Sequence, residues 1–322
     1  MAVSISVIVP TYKRPALLSR CLAALARQNY EPSNYEVIIA DNAADPETRS
    51  VIDQWAAQVN LCVRYLPAAQ TPGPAAARNA AAREARGKIF AFTDDDCVPE
   101  LGWLRAGEAA LSMGAAAAAG SVRVPLPEAP TDYERNEAGL ERAEFVTANC
   151  FCRRAAFNAI GGFDERFTMA WREDSDLFFS LLERGYQVIP APAAVVLHPV
   201  RPGHWGISLK LQRKSMFNAL LYRKHAGLYR QRVQPHPPWL YYGIAASVLT
   251  AFVAAAVRQP AVAGAAGSLW LFLTARFCVQ RLRQTTRRPG HVLEMIVTSS
   301  LVPLLSVYWR LRGALRYRVL FL

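Results

Sequence analysis

Residues 239–257 run for nineteen positions without a charged side chain. A stretch that apolar and that long folds as a helix enclosed by lipid or by protein, because its backbone groups must bond among themselves. Trp239, Tyr241 and Tyr242 stand at its start, where interfacial aromatics gather. A second apolar stretch, Ala261–Ala275, follows almost at once. It extends to Val279 if Arg276 snorkels. A third covers 292–309, with Glu294 near its start and Pro303 inside. Long apolar segments in close succession point to a membrane region rather than a buried helical core.

Charge follows the same partition. Residues 1–200 carry 19 Lys and Arg against 24 Asp and Glu, whereas residues 201–322 carry 18 against the single acid Glu294. The whole excess of +12 therefore lies beside the apolar stretches. Basic residues placed there suit anionic lipid headgroups, and nucleic acid is not an expected partner. The segment 201–234, with Trp205–Arg232 at its centre, reads as a basic amphipathic helix on the membrane surface. That segment and Arg281, Arg283, Arg287 and Arg288 flank the first two stretches. The positive-inside rule makes 239–257 and 261–279 a hairpin with both ends cytoplasmic, and puts residues 1–200 on the cytoplasmic side. If 292–309 crossed as well, Arg310, Arg312, Arg316 and Arg318 would lie outside, so it is expected to be re-entrant or interfacial. The N-terminus enters an apolar strand at once, so no leader is expected. The six cysteines form no CxxC pair and no zinc spacing, and read as reduced, buried residues.

Residues 1–200 alternate between two periodicities. Val3–Val9, Tyr35–Ala40, Cys62–Leu66 and Lys88–Phe92 read as buried strands. Helices are expected over Pro15–Gln28, Pro46–Ala57 and Ala75–Ala85, the first with Pro in its first turn. This pattern predicts an α/β fold with an open, mainly parallel sheet flanked by helices. Ligands bind beyond the carboxyl ends of such strands. Three strands end in polar groups there: Thr11-Tyr12-Lys13-Arg14, Asp41-Asn42 and Asp94-Asp95-Asp96. Further on, a helix is expected over 99–113, and strands over Ala115–Val124, Phe145–Arg153, Gln187–Ile189 and Ala193–Leu197. Pro125–Glu144 reads as a mobile loop, and Asp174–Arg184 as a helix.

Two acidic clusters carry the chemistry. Three consecutive carboxylates repel one another unless donors or a cation compensate. Hard divalent cations take carboxylate oxygens and bridge to substrate phosphates. Asp94 and Asp96 would face one side of a continuing strand, as D-x-D. The second cluster is Glu173-Asp174-Ser175-Asp176. Asp174 could cap the helix that follows, or serve as a general base toward a hydroxyl.

Residues 3–200 resemble the family 2 inverting glycosyltransferases of the GT-A fold. The resemblance rests on Pro10-Thr11-Tyr12-x-Arg14, Asp41-Asn42, Gly73-x-x-x-Ala77-Arg78-Asn79, Thr93-Asp94-Asp95-Asp96 with Val98-Pro99, and Gly161-Gly162-Phe163-Asp164-Glu165 followed by Glu173-Asp174. It implies a donor loop at Pro10, Thr11, Tyr12 and Arg14. Asp41 would contact a uridine- or thymidine-type base. Arg78 would lie near the diphosphate or orient Asp41, and Asp94 and Asp95 would complete the donor site. Mg2+ or Mn2+ would be held chiefly by Asp96, with Asp94 and His198. Asp174 would be the catalytic base, and Glu173 would help to hold the acceptor. The implied reaction moves one sugar, with inversion, from a UDP- or dTDP-type sugar to a lipid or glycan acceptor. The Q-x-x-R-W motif of processive synthases is missing at Gln212–Met216, which favours single transfer. The implied organisation is a transferase domain over 1–200, an interfacial segment over 201–234 and membrane helices over 235–322.

Rival readings fare less well. A nicotinamide dehydrogenase wants G-x-G-x-x-G after its first strand, and Val9-Pro10-Thr11-Tyr12 has no glycine. A sugar-phosphate nucleotidyltransferase wants a Gly-rich basic loop there. A non-catalytic membrane scaffold would not need intact Asp94, Asp96, Glu173 and Asp174.

Overall fold

A computed structural model describes residues 3–70 and 72–321. The chain divides into two compact units. One takes the residues up to Pro125 together with Ala138–Val200; the other takes Leu126–Glu137 and the chain from Arg201 onward.

The first unit is built on strands β1 (Ile5–Thr11), β2 (Tyr35–Asp41), β3 (Cys62–Pro67), β4 (Ile89–Phe92), β5 (Val98–Pro99), β6 (Ala117–Arg123), β7 (Cys150–Arg153) and β8 (Val188–Leu197). They form one sheet in the order β3-β2-β1-β4-β7-β6-β8-β5. The first four strands are parallel; β7 runs antiparallel to β4 and β6, and β5 antiparallel to β8. Every residue of β1 and β2 is buried, as expected for parallel strands covered on both faces. Helices α1 (Pro15–Ala26), α2 (Pro46–Gln58), α3 (Pro74–Glu84) and α4 (Trp103–Ser112) connect these strands. The first three begin with Pro, whose missing N–H costs nothing in a first turn. Asp45 caps α2 by accepting from Thr48 N at 3.0 Å.

The expected strand and helix sequence through residue 124 holds, with ends moved by a few residues, except that the short strand β5 (Val98–Pro99) was not expected and the helix expected over 99–113 starts at Trp103. Three later expectations before residue 200 are corrected. The loop expected over 125–144 contains helix α5 (Asp132–Glu137) and a 3-10 turn over Ala138–Arg142. A capping box starts α5: Glu134 Oε2 accepts from Thr131 N and Oγ, and Thr131 Oγ accepts from Glu134 N. Residues 145–149 are not strand; Asn149 N bonds Val146 O in a turn, and only Cys150–Arg153 pairs. The two strands expected over 187–197 are one, β8. Its register against β6 jumps from Gly120↔Ala191 to Ser121↔Val195, a bulge that accommodates Pro190 and Pro192. Helices α6 (Arg154–Ala159) and α7 (Glu173–Glu183) complete this unit.

In the second unit, 205–232 is not one helix. It is α8 (Ile207–Leu211), a 3-10 turn over Gln212–Ser215, α9 (Met216–Lys224) and α10 (Ala226–Arg232). His225 leaves helical dihedrals between the last two. Met216, Phe217, Leu220 and Leu221 are buried, so protein covers the apolar side expected to meet lipid. Three longer helices follow: α11 (Trp239–Ala256), α12 (Pro260–Leu282) and α13 (Pro289–Arg316). Each is long and apolar enough to cross a membrane. The third is unbroken through Pro303.

Candidate active site

The two acidic clusters lie far apart in sequence and meet through one guanidinium. Arg78, on α3, is 2% exposed. Its Nη2 donates to Asp94 Oδ1 at 2.6 Å and its Nη1 to Glu173 Oε1 at 3.2 Å. The guanidinium also lies over the Phe163 ring, 5.6 Å from its centroid. Two conditions set this position. Gly73 has φ +104°, and a Cβ there would meet the Thr168 carbonyl oxygen at 2.7 Å, so only glycine lets the start of α3 approach that loop. Asn79 then pins the Gly161–Glu165 turn: Phe163 N donates to its Oδ1, and its Nδ2 donates to Phe163 O and Glu165 Oε1.

The three aspartates after β4 go to three different places. Asp94 takes Arg78 and is partly exposed. Asp95 turns inward, accepting from Thr11 Oγ at 2.7 Å and from Arg14 Nη1 at 3.0 Å. Burial raises its carboxyl pKa, against the pull of Arg14. Asp96 lies beside His198 of the segment after β8, with Oδ1 3.6 Å from Nε2. Asp96, Cys97 and His198 offer ligand atoms all within 4.8 Å of one another, and all three residues are buried. His198 Nδ1 is a buried nitrogen with no hydrogen-bond partner among the described residues.

Glu173 and Asp174 open α7, where the helix dipole favours anions. Arg172, just before them, has φ +75°, an uncommon conformation for a non-glycine residue. Burial and the neighbouring Asp174 push the Glu173 pKa up to about 7, against Arg78. Burial raises Asp174 as well, opposed by Arg172. Glu173 Oε2 is buried without a hydrogen-bond partner among the described residues. Asp174 is only partly buried, and its Oδ1 accepts from Ser175 N at 2.6 Å.

The remaining residues expected at the site lie as follows. Asp94 sits on Arg78 and outside the Asp96–Cys97–His198 group. Arg78 does not contact Asp41; it is enclosed between two carboxylates. Asp95 and Pro10 are buried, and neither faces solvent. Asp41 is fully buried, with Oδ1 accepting from Ala43 N and Oδ2 from Asp45 N and Tyr65 Oη, so it shapes the turn after β2. Glu173 is buried on Arg78. Thr11 gives its hydroxyl to Asp95, while Arg14 stays partly exposed and Tyr12 is 56% exposed. Sequence reasoning assigned no role to Cys97, Asn79, Tyr65 or Phe163. Asn79 and Phe163 carried a signal, as members of the Gly73–Asn79 and Gly161–Glu165 motifs.

Comparisons with known proteins bear on the family and the fold. The family model described as glycosyl transferase family 2 matches residues 6–168, and that of glycosyl transferase family group 2 matches 133–282. Glycosyltransferase AglE of Haloferax volcanii is 29% identical over 221 residues, covering 65% of this chain and 70% of the relative. Validoxylamine A glucosyltransferase of Streptomyces hygroscopicus subsp. limoneus is 28% identical over 56% of this chain, which spans 48% of that relative. The fold is shared with mannosyltransferase PcManGT from Pyrobaculum calidifontis, solved with GDP-Man and Mn2+. The TM-score is 0.58 at 18% identity, over 99% of this chain and 88% of that one. A GT-A type sheet and a family model matching more than half of the residues place this chain in glycosyl transferase family 2, as a glycosyltransferase.

Proposed function

We propose that the chain transfers one sugar, with inversion, from a nucleotide-diphosphate sugar to a hydroxyl of a lipid or lipid-linked glycan. The observation that carries this reading is the Arg78 bridge. It joins the acidic end of β4, where a donor diphosphate fits, to the start of α7, where Asp174 stands partly open.

Arg78, Asp95, Asp41 and Glu173 act as positioning residues, because each is enclosed and bonded to its neighbours. Thr11 fixes Asp95, and Pro10 fixes the strand below. Tyr12 and Arg14 are the exposed edge of the donor loop. Asp174 Oδ2 takes the proton of the acceptor hydroxyl. The hydroxyl oxygen bonds to the anomeric carbon as the bond to the diphosphate oxygen breaks, and the nucleotide diphosphate leaves with that electron pair. A raised carboxyl pKa suits a base working near neutral pH.

Asp96 and His198 fit a divalent cation: a buried carboxylate and an imidazole lie side by side, and Mg2+ or Mn2+ is commonly held by few protein ligands plus substrate phosphates. Cys97 fits poorly, since burial raises its thiol pKa well above the ordinary value. When bound, such an ion neutralises charge on the departing diphosphate. The three apolar helices attach the enzyme to the bilayer, with the transferase unit on the cytoplasmic side.

The test is a binding screen of UDP-, dTDP- and GDP-sugars with Mn2+, since the family resemblance points to uridine or thymidine and PcManGT was solved with GDP-Man. Asp96→Ala should weaken donor binding by about tenfold or more, roughly 1.4 kcal/mol. Donor binding indifferent to both EDTA and Asp96→Ala would remove the metal from the reading.

A further inference from the structure

Length and composition let α13 cross a membrane as readily as α11 and α12 do, but its contacts do not. Both of its ends lie on one segment that precedes the first apolar helix. At the start, Gly206 N donates to Glu294 Oε1 at 2.8 Å. Further along, the Arg213 guanidinium lies over the Trp309 ring, 5.8 Å from its centroid. Gly313 comes so close to the Met216 backbone that no Cβ fits between them. Near the end, Arg223 Nη1 donates to the Tyr317 carbonyl at 2.7 Å. As α13 runs from 294 to 317, its partner runs from 206 to 223.

That partner cannot be inside hydrocarbon. Residues 206–224 hold Lys210, Arg213, Lys214, Arg223 and Lys224 and no acid, with Arg213 and Lys214 in the middle of the run. Cations at the centre of a spanning segment are costly. A helix packed along such a run for its whole length stays outside the bilayer centre too. Its midpoint meets the α11–α12 hairpin near the open end, where Val302 packs with Ile244 and Phe277. The same placement keeps Arg310, Arg312, Arg316 and Arg318 on the side of the other basic segments, as the positive-inside rule asks.

The outward face of α13 shows what it meets. At the helical period Leu293, Ile296, Leu301, Tyr308, Leu311 and Leu315 share one face, and all six are exposed. Met295, Thr298, Val302 and Gly313, on the opposite face, are buried. Beside the apolar row stands a cationic pair. Arg312 lies 5.0 Å from the centroid of the same Trp309 ring that Arg213 covers, and its Nη1 donates to Tyr308 Oη at 3.1 Å. Both guanidiniums are exposed, and neither has a carboxylate partner among the described residues. Free phosphate or nucleic acid would satisfy the cations and leave Leu311 and Leu315 in water. An anionic lipid satisfies both, with its phosphate on the arginines and its acyl chain on the leucines.

We propose that α13 lies along the bilayer surface without crossing it, as a docking face for anionic lipid, with Arg213 and Arg312 at the headgroup phosphates. The proposal rests on reading α11 and α12 as the helices that enter the bilayer.

The test uses the full chain in lipid nanodiscs, in a Cys62→Ser background, because Cys62 is the exposed cysteine among the described residues. Nitroxide labels at Leu293→Cys, Leu301→Cys and Leu315→Cys should report one shallow depth by electron paramagnetic resonance, with oxygen and a water-soluble nickel chelate as relaxants. A label at Leu271→Cys, on α12, should lie deep. A crossing α13 would set Leu301 about 10 Å deeper than Leu293, and that gradient overturns the proposal. So does free nickel access at all three sites, which means water, or spin–spin broadening among them, which means a second copy on the row. A shallow label at Leu271→Cys removes the membrane hairpin, and the proposal with it. In nanodiscs of equal phosphatidylglycerol and phosphatidylcholine, native mass spectrometry should show retained phosphatidylglycerol falling about fivefold in Arg213→Gln and in Arg312→Gln. Retention should persist in Arg258→Gln, at the hairpin tip, and resist inorganic phosphate. Retention unchanged in both variants, lost equally in Arg258→Gln, or displaced by inorganic phosphate overturns the lipid assignment.

Discussion

Among the described residues, four large apolar side chains stand exposed in the transferase unit, against nineteen in the helical unit. The transferase unit turns its apolar residues inward and brings charges in with them, each paired. Glu36 is buried with Ser6, Arg64 and Arg86 around it, and Arg78 is buried between Asp94 and Glu173. The helical unit instead leaves Leu249, Phe252, Leu271 and Phe272 outward along α11 and α12. The difference teaches which solvent each unit is built for. An exposed apolar face of that extent is costly in water and neutral in hydrocarbon.

The largest effect tests the transferase side. Asp174→Asn should lower transfer by about 10²–10⁴-fold while donor binding stays nearly intact, measured by turnover beside nucleotide titration. Equal losses in both would make Asp174 a binding residue. Next comes Arg78→Ala, which strands two carboxylates. Removing one partner of a buried ion pair costs about 3–5 kcal/mol, so denaturant unfolding should show a stability loss of that order. A change below about 1 kcal/mol would mean water already screens the pair.

A smaller effect addresses the contrast itself. Met113 is 85% exposed in the transferase unit and Phe272 is 65% exposed in α12. Met113→Arg should change stability by no more than about 0.5 kcal/mol. Phe272→Arg should cost about 2.5–3.5 kcal/mol of membrane insertion, read as the integrated fraction in a glycosylation-mapping assay. Equal tolerance at both positions would make α12 a water-facing helix.

The smallest effect is a pH slope. Glu173 is raised to about 7 in the folded chain, from an ordinary carboxyl near 4.5. Between those values the folded state binds the extra proton, so this group's contribution to stability falls as pH rises through that window. Glu173→Gln should flatten that part of the stability profile. In activity, kcat/KM should show an acid limb above the usual carboxylate range, because the Glu173–Asp174 pair holds a proton longer than either acid would alone.

Much of the fold was legible before any coordinates. Strand and helix periods, proline starts and turn residues identified the elements through residue 124 other than β5, because those signals are local. The capping box at Thr131–Glu134 was equally local and was passed over, since the Pro-rich surroundings suggested a loop. The bulge in β8 was not readable, because it depends on what β6 places opposite. Charge rules make 292–309 re-entrant or interfacial, while the helix that holds it runs from Pro289 to Arg316, through Pro303.

Residue order alone determined that the chain has an acidic α/β part and a basic apolar part, and that three carboxylates follow one strand. It could not determine where those carboxylates go. Asp94, Asp95 and Asp96 are chemically identical neighbours, yet one meets Arg78, one meets Thr11 and Arg14, and one meets His198. Successive side chains leave the backbone in different directions, and the partners are delivered by different elements of the fold. Only the tertiary structure sorts an enclosed carboxylate from one facing a ligand, because that choice is made by desolvation and by partners distant in sequence.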